Sequence, residues 1–189
     1  HASAAGERPL MRRVVVVVVV LSACAAPNTR TLVARPGAAS VREASVEVVN
    51  ATGRELPAPR PGLVDEVARV AAGRAVAPAS TADAFSAAVA AGLRERGVGT
   101  VAGRHPELPV LRVTLLDFDI RDHDAAGAVA FVSARYLLLT AKNESLWEAE
   151  EVRLPIRLGG PDLTRSELAR IATEAVHRAL SSFPASTRP

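Results

Sequence analysis

Two sets of residues in this chain carry chemistry in their types and spacing. The first is Cys24, the only cysteine among 189 residues. It closes the run Met11-Arg12-Arg13, seven valines, Leu21-Ser22-Ala23-Cys24. A lone cysteine cannot form an internal disulfide, so that role is excluded. The second set is Asp117, Asp119, Asp122 and Asp124 around His123. Clustered carboxylates can hold calcium, which takes several oxygen ligands. They can also serve a hydrolase that pairs carboxylates with a histidine. The spacing D-x-D-x-x-D-H-D lacks the glycine and terminal glutamate of an EF-hand loop. Asp117 and Asp119 alternate with Leu116, Phe118 and Ile120, as on the solvated side of a strand entering a polar turn. These aspartates are weak metal candidates, and the expectation is no metal, no cofactor and no catalytic residue.

The remaining reactive groups are sparser. His105 precedes a proline and His177 falls beside the apolar stripe of the last helix; with no recurrent spacing they make no zinc site. No G-x-S-x-G elbow is present. Gly159-Gly160-Pro161-Asp162 leads into a helix start that could hold an anion, but it lacks the lysine and length of a P-loop. Trp147 reads as a core anchor, with an exposed interface role as the alternative.

The elements that must position these residues follow from periodicity. Ser45–Asn50 is a strand, and Leu63–Ala72 has the spacing of a short helix. Ser80–Arg96 is a helix with Ser80 as its cap, Asp83 three residues on, and Phe85, Ala88, Val89 and Leu93 on one face. Gly97 stops it and Val98–Ala102 is a short strand. Val110–Ile120, Ala128–Thr140 and Leu146–Ile156 form an antiparallel meander. Leu111, Val113 and Leu115 share a face, whereas Leu116, Phe118 and Ile120 continue one residue out of step, which predicts a bulge at Leu115–Leu116. Thr164-Arg165-Ser166-Glu167 is a capping box ahead of a helix ending near Phe183. The order βαβββα predicts an α+β domain, a four-stranded mixed sheet with two helices packed on one face. Val129, Phe131, Leu137 and Leu139 alternate along the longest strand. If they face away from the helices, they form an apolar patch for a partner.

The stretch before Cys24 resembles a bacterial lipoprotein signal peptide with its lipobox. Arg12 and Arg13 are the charged start, and Val14–Leu21 is an apolar core far short of the ~20 residues that span a bilayer. Ala23 and Cys24 flank the cleavage point. The resemblance implies a signal peptide at 11–23 after an upstream extension at 1–10. It also implies a lipidated Cys24 that begins a flexible tether to residue 44, and a single periplasmic domain at 45–184. Several acyl chains, at about 0.8 kcal/mol per buried methylene, would anchor it firmly. Ala25 after the cysteine points to the outer membrane.

The whole chain has 23 basic and 20 acidic residues. Removing Arg8, Arg12, Arg13 and Glu7 leaves a net of about +1, with no arginine cluster for nucleic acid. From Ser45 to Phe183 the order of elements, with SVEVVNATG, AFSAAVAAGLRERGV, LPVLRVTLLDFDI and SARYLLLTAKNESLWEAE, is similar to small envelope lipoproteins. These are the auxiliary lipoproteins of ABC-type lipid transport systems and the lipopolysaccharide-assembly lipoproteins; penicillin-binding-protein activators share a related domain. The resemblance implies a lipid-anchored adaptor of an envelope lipid-transport or assembly complex that works by protein–protein binding and not by catalysis. It assigns no residue beyond Cys24. The competing expectations are a lipid- or cell-wall-binding module with a groove between sheet and helices, and a hydrolase using Asp117–Asp124.

Overall fold

A computed structural model describes residues 28–59, 80–102, 104–123, 127–160 and 162–184. The described chain runs β1 (Thr29–Ala34), a 3-10 turn (Pro36–Ser40), β2 (Glu43–Asn50), α1 (Thr81–Glu95), β3 (Gly99–Ala102), β4 (Val110–His123), β5 (Gly127–Leu139), β6 (Ser145–Arg157) and α2 (Arg165–Leu180). The α+β class and the mixed sheet with α1 and α2 are as expected. The sheet, however, has six strands in the order β1-β6-β5-β4-β2-β3, not four.

One strand beyond the four is the short β3, expected as a strand at Val98–Ala102 but not counted in the sheet; it pairs parallel with β2. The other is β1, which lies in the segment expected to be a flexible tether. It pairs antiparallel with β6, Thr29 opposite Glu151 and Ala34 opposite Trp147. The reason it escaped notice is in its burial: no β1 residue is buried, so the segment carries no apolar periodicity. Backbone hydrogen bonds, which leave no trace in residue type, place it in the sheet.

The inner face of the sheet follows alternation, interrupted where the register shifts. Ala128, Ala130, Val132, Ala134, Tyr136 and Leu138 of β5 are all buried. On β4 the inward set is Leu111, Val113 and Leu115, then Phe118. The register shifts between Leu115 and Asp117, and Leu116 is turned out to solvent. This is the bulge that the out-of-step apolar pattern predicts. β4 continues to His123, opposite Gly127, so Asp122 and His123 extend the strand backbone where a turn was expected.

Both helices begin on side-chain caps. The Ser80 hydroxyl accepts from the Asp83 N–H, and the Thr164 hydroxyl accepts from the Glu167 N–H. Only this half of the capping box forms, because the Glu167 carboxylate turns to the Gly159 N–H at 3.2 Å and to Arg170. α1 ends in a Schellman turn. Gly97 N–H bonds to Arg94 O and Val98 N–H to Leu93 O, both at 3.0 Å, and Gly97 has φ 77°, a conformation that costs glycine little. The two helices meet at Gly92, where an added Cβ would lie 2.7 Å from Leu180 Cδ1. Arg96 ties their ends together, donating from Nε to Leu180 O at 2.9 Å and from Nη1 to Gly92 O at 3.1 Å. A cation there also suits the negative end of both helix dipoles.

Trp147 and Phe183 close the core at the α2 exit. Their rings meet edge to face at 5.1 Å, with Trp147 fully buried and Phe183 nearly so.

Candidate functional site

The sheet face away from the helices holds most of the residues singled out from the sequence. Val129, Phe131, Leu137 and Leu139 all lie on it and are half-buried. They do not form one apolar patch, because Ser133 and Arg135 separate the two pairs on β5. Arginine–carboxylate pairs run across the strands between them: Arg30–Glu150 at 2.6 Å, Arg135–Glu148 at 2.6 Å and Arg112–Glu47 at 2.8 Å. Phe131 lies between two cations, with Arg121 Cζ 5.6 Å and Arg153 Cζ 5.3 Å from its ring centroid. Such contacts contribute about 0.5–1 kcal/mol at exposed positions. The face is therefore a mosaic of apolar and charged groups.

Arg153 reaches Phe131 from a distorted stretch of β6. Between Val132 and Ala134 of β5 the register with β6 shifts, and Arg153 takes φ 48°. A non-glycine residue held there stores strain. Its N–H donates to the Ser133 hydroxyl at 3.0 Å, and Val152 beside it is exposed.

The aspartates are placed by β4 and engaged by arginines. Asp117 pairs with Arg54 at 2.6 Å and Asp119 with Arg121 at 2.7 Å. The Arg121 hydrogen bond holds the Asp119 carboxyl below the usual carboxylate range. A carboxylate so held is a poor proton donor. Side chains of Asp122 and His123, and all of Asp124, lie outside the described residues, so of this cluster only Asp117 and Asp119 are placed. Among the described residues, no three His, Cys, Asp or Glu side chains are arranged to hold a metal ion. His105 is exposed in a loop, and His177 is exposed on α2 at the rim of a shallow groove. That groove runs between α1 and α2, over Ala88, Gly92 and Val176. A groove between sheet and helices was one competing expectation: the core fills the middle of that space, and an open groove remains at one end, between α1 and the β2–β3 edge, lined by Val46, Ser86, Ala90 and Thr100. The Gly159-Gly160 turn does not offer its first N–H to an anion, since Glu167 already accepts from it.

Cys24, Ala23 and the signal segment 11–23 lie outside the described residues, as do the expected helix Leu63–Ala72 and residues 1–10. Among the described residues, no helix is long and apolar enough to cross a membrane.

One group was missed. Glu151 is fully buried on the inner face. Its carboxylate accepts from the Tyr136 hydroxyl at 2.9 Å and from the Thr29 hydroxyl at 3.5 Å. Desolvation pushes the carboxyl up to about 8, against the opposing Tyr136 hydrogen bond, the charge of Arg178 and the Thr29 contact. The same burial, reinforced by Glu151, raises the Tyr136 hydroxyl well above its ordinary range. A signal was available: Trp147, Ala149 and Glu151 alternate on one face, so a glutamate continues an apolar row.

No known family matches the sequence, and no curated protein does. The fold has counterparts among solved structures. The PelC dodecamer from Paraburkholderia phytofirmans, seen in two crystal forms, is 15% identical with a TM-score of 0.51, over 85% of this chain and 98% of that one. A minor lipoprotein from Acinetobacter baumannii is 11% identical with a TM-score of 0.32, over 78% of this chain and 97% of the other. The likeness to PelC is one of fold alone.

Proposed function

We propose that this chain is a lipid-anchored adaptor of the bacterial envelope, held by acyl chains on Cys24 and working by binding protein on its uncovered sheet face. It serves as an accessory component of a lipid-transport or assembly complex at the periplasmic side of the outer membrane. The observation that carries the reading is the character of that face. Half-buried Phe131 and Leu137 sit among paired charges, a mix of apolar anchors and a polar surround of the kind protein interfaces use. Glu47, Asp117, Asp119, Glu148 and Glu150 on it are engaged by arginines and so are poorly suited to acid–base catalysis. The likeness to PelC, a dodecamer, adds a second copy of the chain to the candidate partners.

Two measurements test this. Cys24→Ser is expected to move the protein from the membrane to the soluble fraction; continued membrane association would sink the anchor. Phe131→Glu is expected to abolish recovery of a defined envelope complex, or of the oligomer, from crosslinked membranes while leaving the fold intact. Unchanged recovery would remove this face from the reading.

A further inference from the structure

β1 is one of the two edge strands of the sheet. None of its side chains is buried. It is held by the backbone ladder to β6, the exposed Arg30–Glu150 pair, a hydroxyl contact between Thr31 and Ser182, and the Asn28 amide on Val152 O at 3.0 Å. An edge strand attached this way opens at low cost compared with the core strands. The attachment changes abruptly after Arg35: Ala38, Val41 and Ala44 are all buried. Arg35 is therefore the natural hinge.

Beneath β1 sits a charge-sensitive group. Thr29 lies opposite Glu151 and covers the outer side of its carboxyl. The groups facing that carboxyl are Tyr136 from β5, Thr29 from β1 and Arg178 from α2, which is itself paired with Glu174 at 2.6 Å. On the opposite face, Arg30 and Glu150 neutralise one another. With β1 in place the carboxyl is dry; with β1 lifted, β6 becomes an edge and the carboxyl meets water.

We propose that β1 is a releasable strap, docked over the buried Glu151–Tyr136 pair and peeling back to Arg35 when the Glu151 carboxyl takes up water. The consequence rests on the lipid anchor at Cys24. With β1 docked, four residues separate Cys24 from Thr29, a reach of about 17 Å at full extension. With β1 released the free chain runs to Arg35, a reach of about 37 Å. The strap thereby sets how far the domain stands from the bilayer.

The linkage has a definite sign. The docked carboxyl holds its proton up to about pH 8, whereas a hydrated one loses it near its ordinary value of 4.5. The docked state binds more protons between these values, so rising pH favours release within that window. The released-to-docked ratio rises about tenfold per pH unit across it and levels off above about pH 8.

The test uses the full chain carrying Cys24→Ser, with spin labels on Leu32→Cys and Val152→Cys, both exposed positions. Pulsed electron resonance reads the label separation from pH 5 to pH 9. The expected result is a second, longer and broader population that grows about tenfold per unit up to pH 8, and no such growth in Glu151→Gln. A single short distance at every pH overturns the strap, as does an equal slope in both chains. So does separation that occurs only with loss of buried Trp147 fluorescence, which would be global unfolding. The anchor is tested apart from this, by binding of the lipidated chain to phosphatidylglycerol-containing vesicles. Failure there removes the reach argument while the label result still decides the strap.

Discussion

Phe183→Ala probes how the last helix is locked onto the sheet. Phe183 is 5% exposed and Trp147 fully buried, and their rings meet edge to face at 5.1 Å. Truncating a buried phenylalanine costs about 3–5 kcal/mol through lost transfer energy and the cavity left behind. One feature of this site lowers that figure. Among the described residues the buried Trp147 indole N–H has no hydrogen-bond partner, which costs about 1–3 kcal/mol. A cavity beside it admits water to that donor, so the expected loss is near the bottom of the range, about 3 kcal/mol. Trp147 is the only tryptophan in the chain, so urea unfolding followed by its fluorescence reads stability and environment together. The variant should unfold earlier and its folded emission should shift to the red. Trp147→Phe deletes the orphaned donor and removes fewer side-chain heavy atoms, so it should cost less than Phe183→Ala; because it also removes the fluorophore, its urea unfolding is followed by far-ultraviolet circular dichroism. A Phe183→Ala loss below about 1 kcal/mol with unchanged emission would refute this account of the contact.

Gly92→Val should destabilise by about 2 kcal/mol or more in the same assay, because its Cβ would lie 2.7 Å from Leu180 Cδ1 in a fully packed helix contact. Between pH 5 and pH 7, wild type should lose up to about 2.5 kcal/mol of stability relative to Glu151→Gln. The sign follows from a folded-state value of about 8 against 4.5, so the folded protein holds the extra proton and weakens as pH rises through that window. Parallel denaturation curves at both pH values would contradict it. Millimolar calcium should leave the melting temperature unchanged, since Asp117 and Asp119 are held by Arg54 and Arg121; a rise reversed by a chelator would restore the metal reading.

Much of the fold was legible because side-chain type records burial. The caps at Ser80 and Thr164, the stop at Gly97 and the bulge at Leu116 each left a local mark in residue type or phase. β1 left none, because its place in the sheet is fixed by backbone hydrogen bonds and not by apolar side chains. The outer face was legible in part. The alternation of Val129, Phe131, Leu137 and Leu139 put them on one side of β5. The pairing of Arg112 with Glu47 and of Arg54 with Asp117, more than sixty residues away in each case, needed the strand order. Glu151 broke an apolar row openly, but its partner Tyr136 and its cover Thr29 come from two other strands.

The adaptor claim is tested most directly by photo-crosslinking in intact cells, with a photoreactive residue at Phe131 or Leu137 and, as the control, at His177 on α2. The account predicts adducts to an envelope protein or to a second copy from the sheet-face positions and none from His177. No adduct from the sheet face, or equal adducts from both faces, would contradict it.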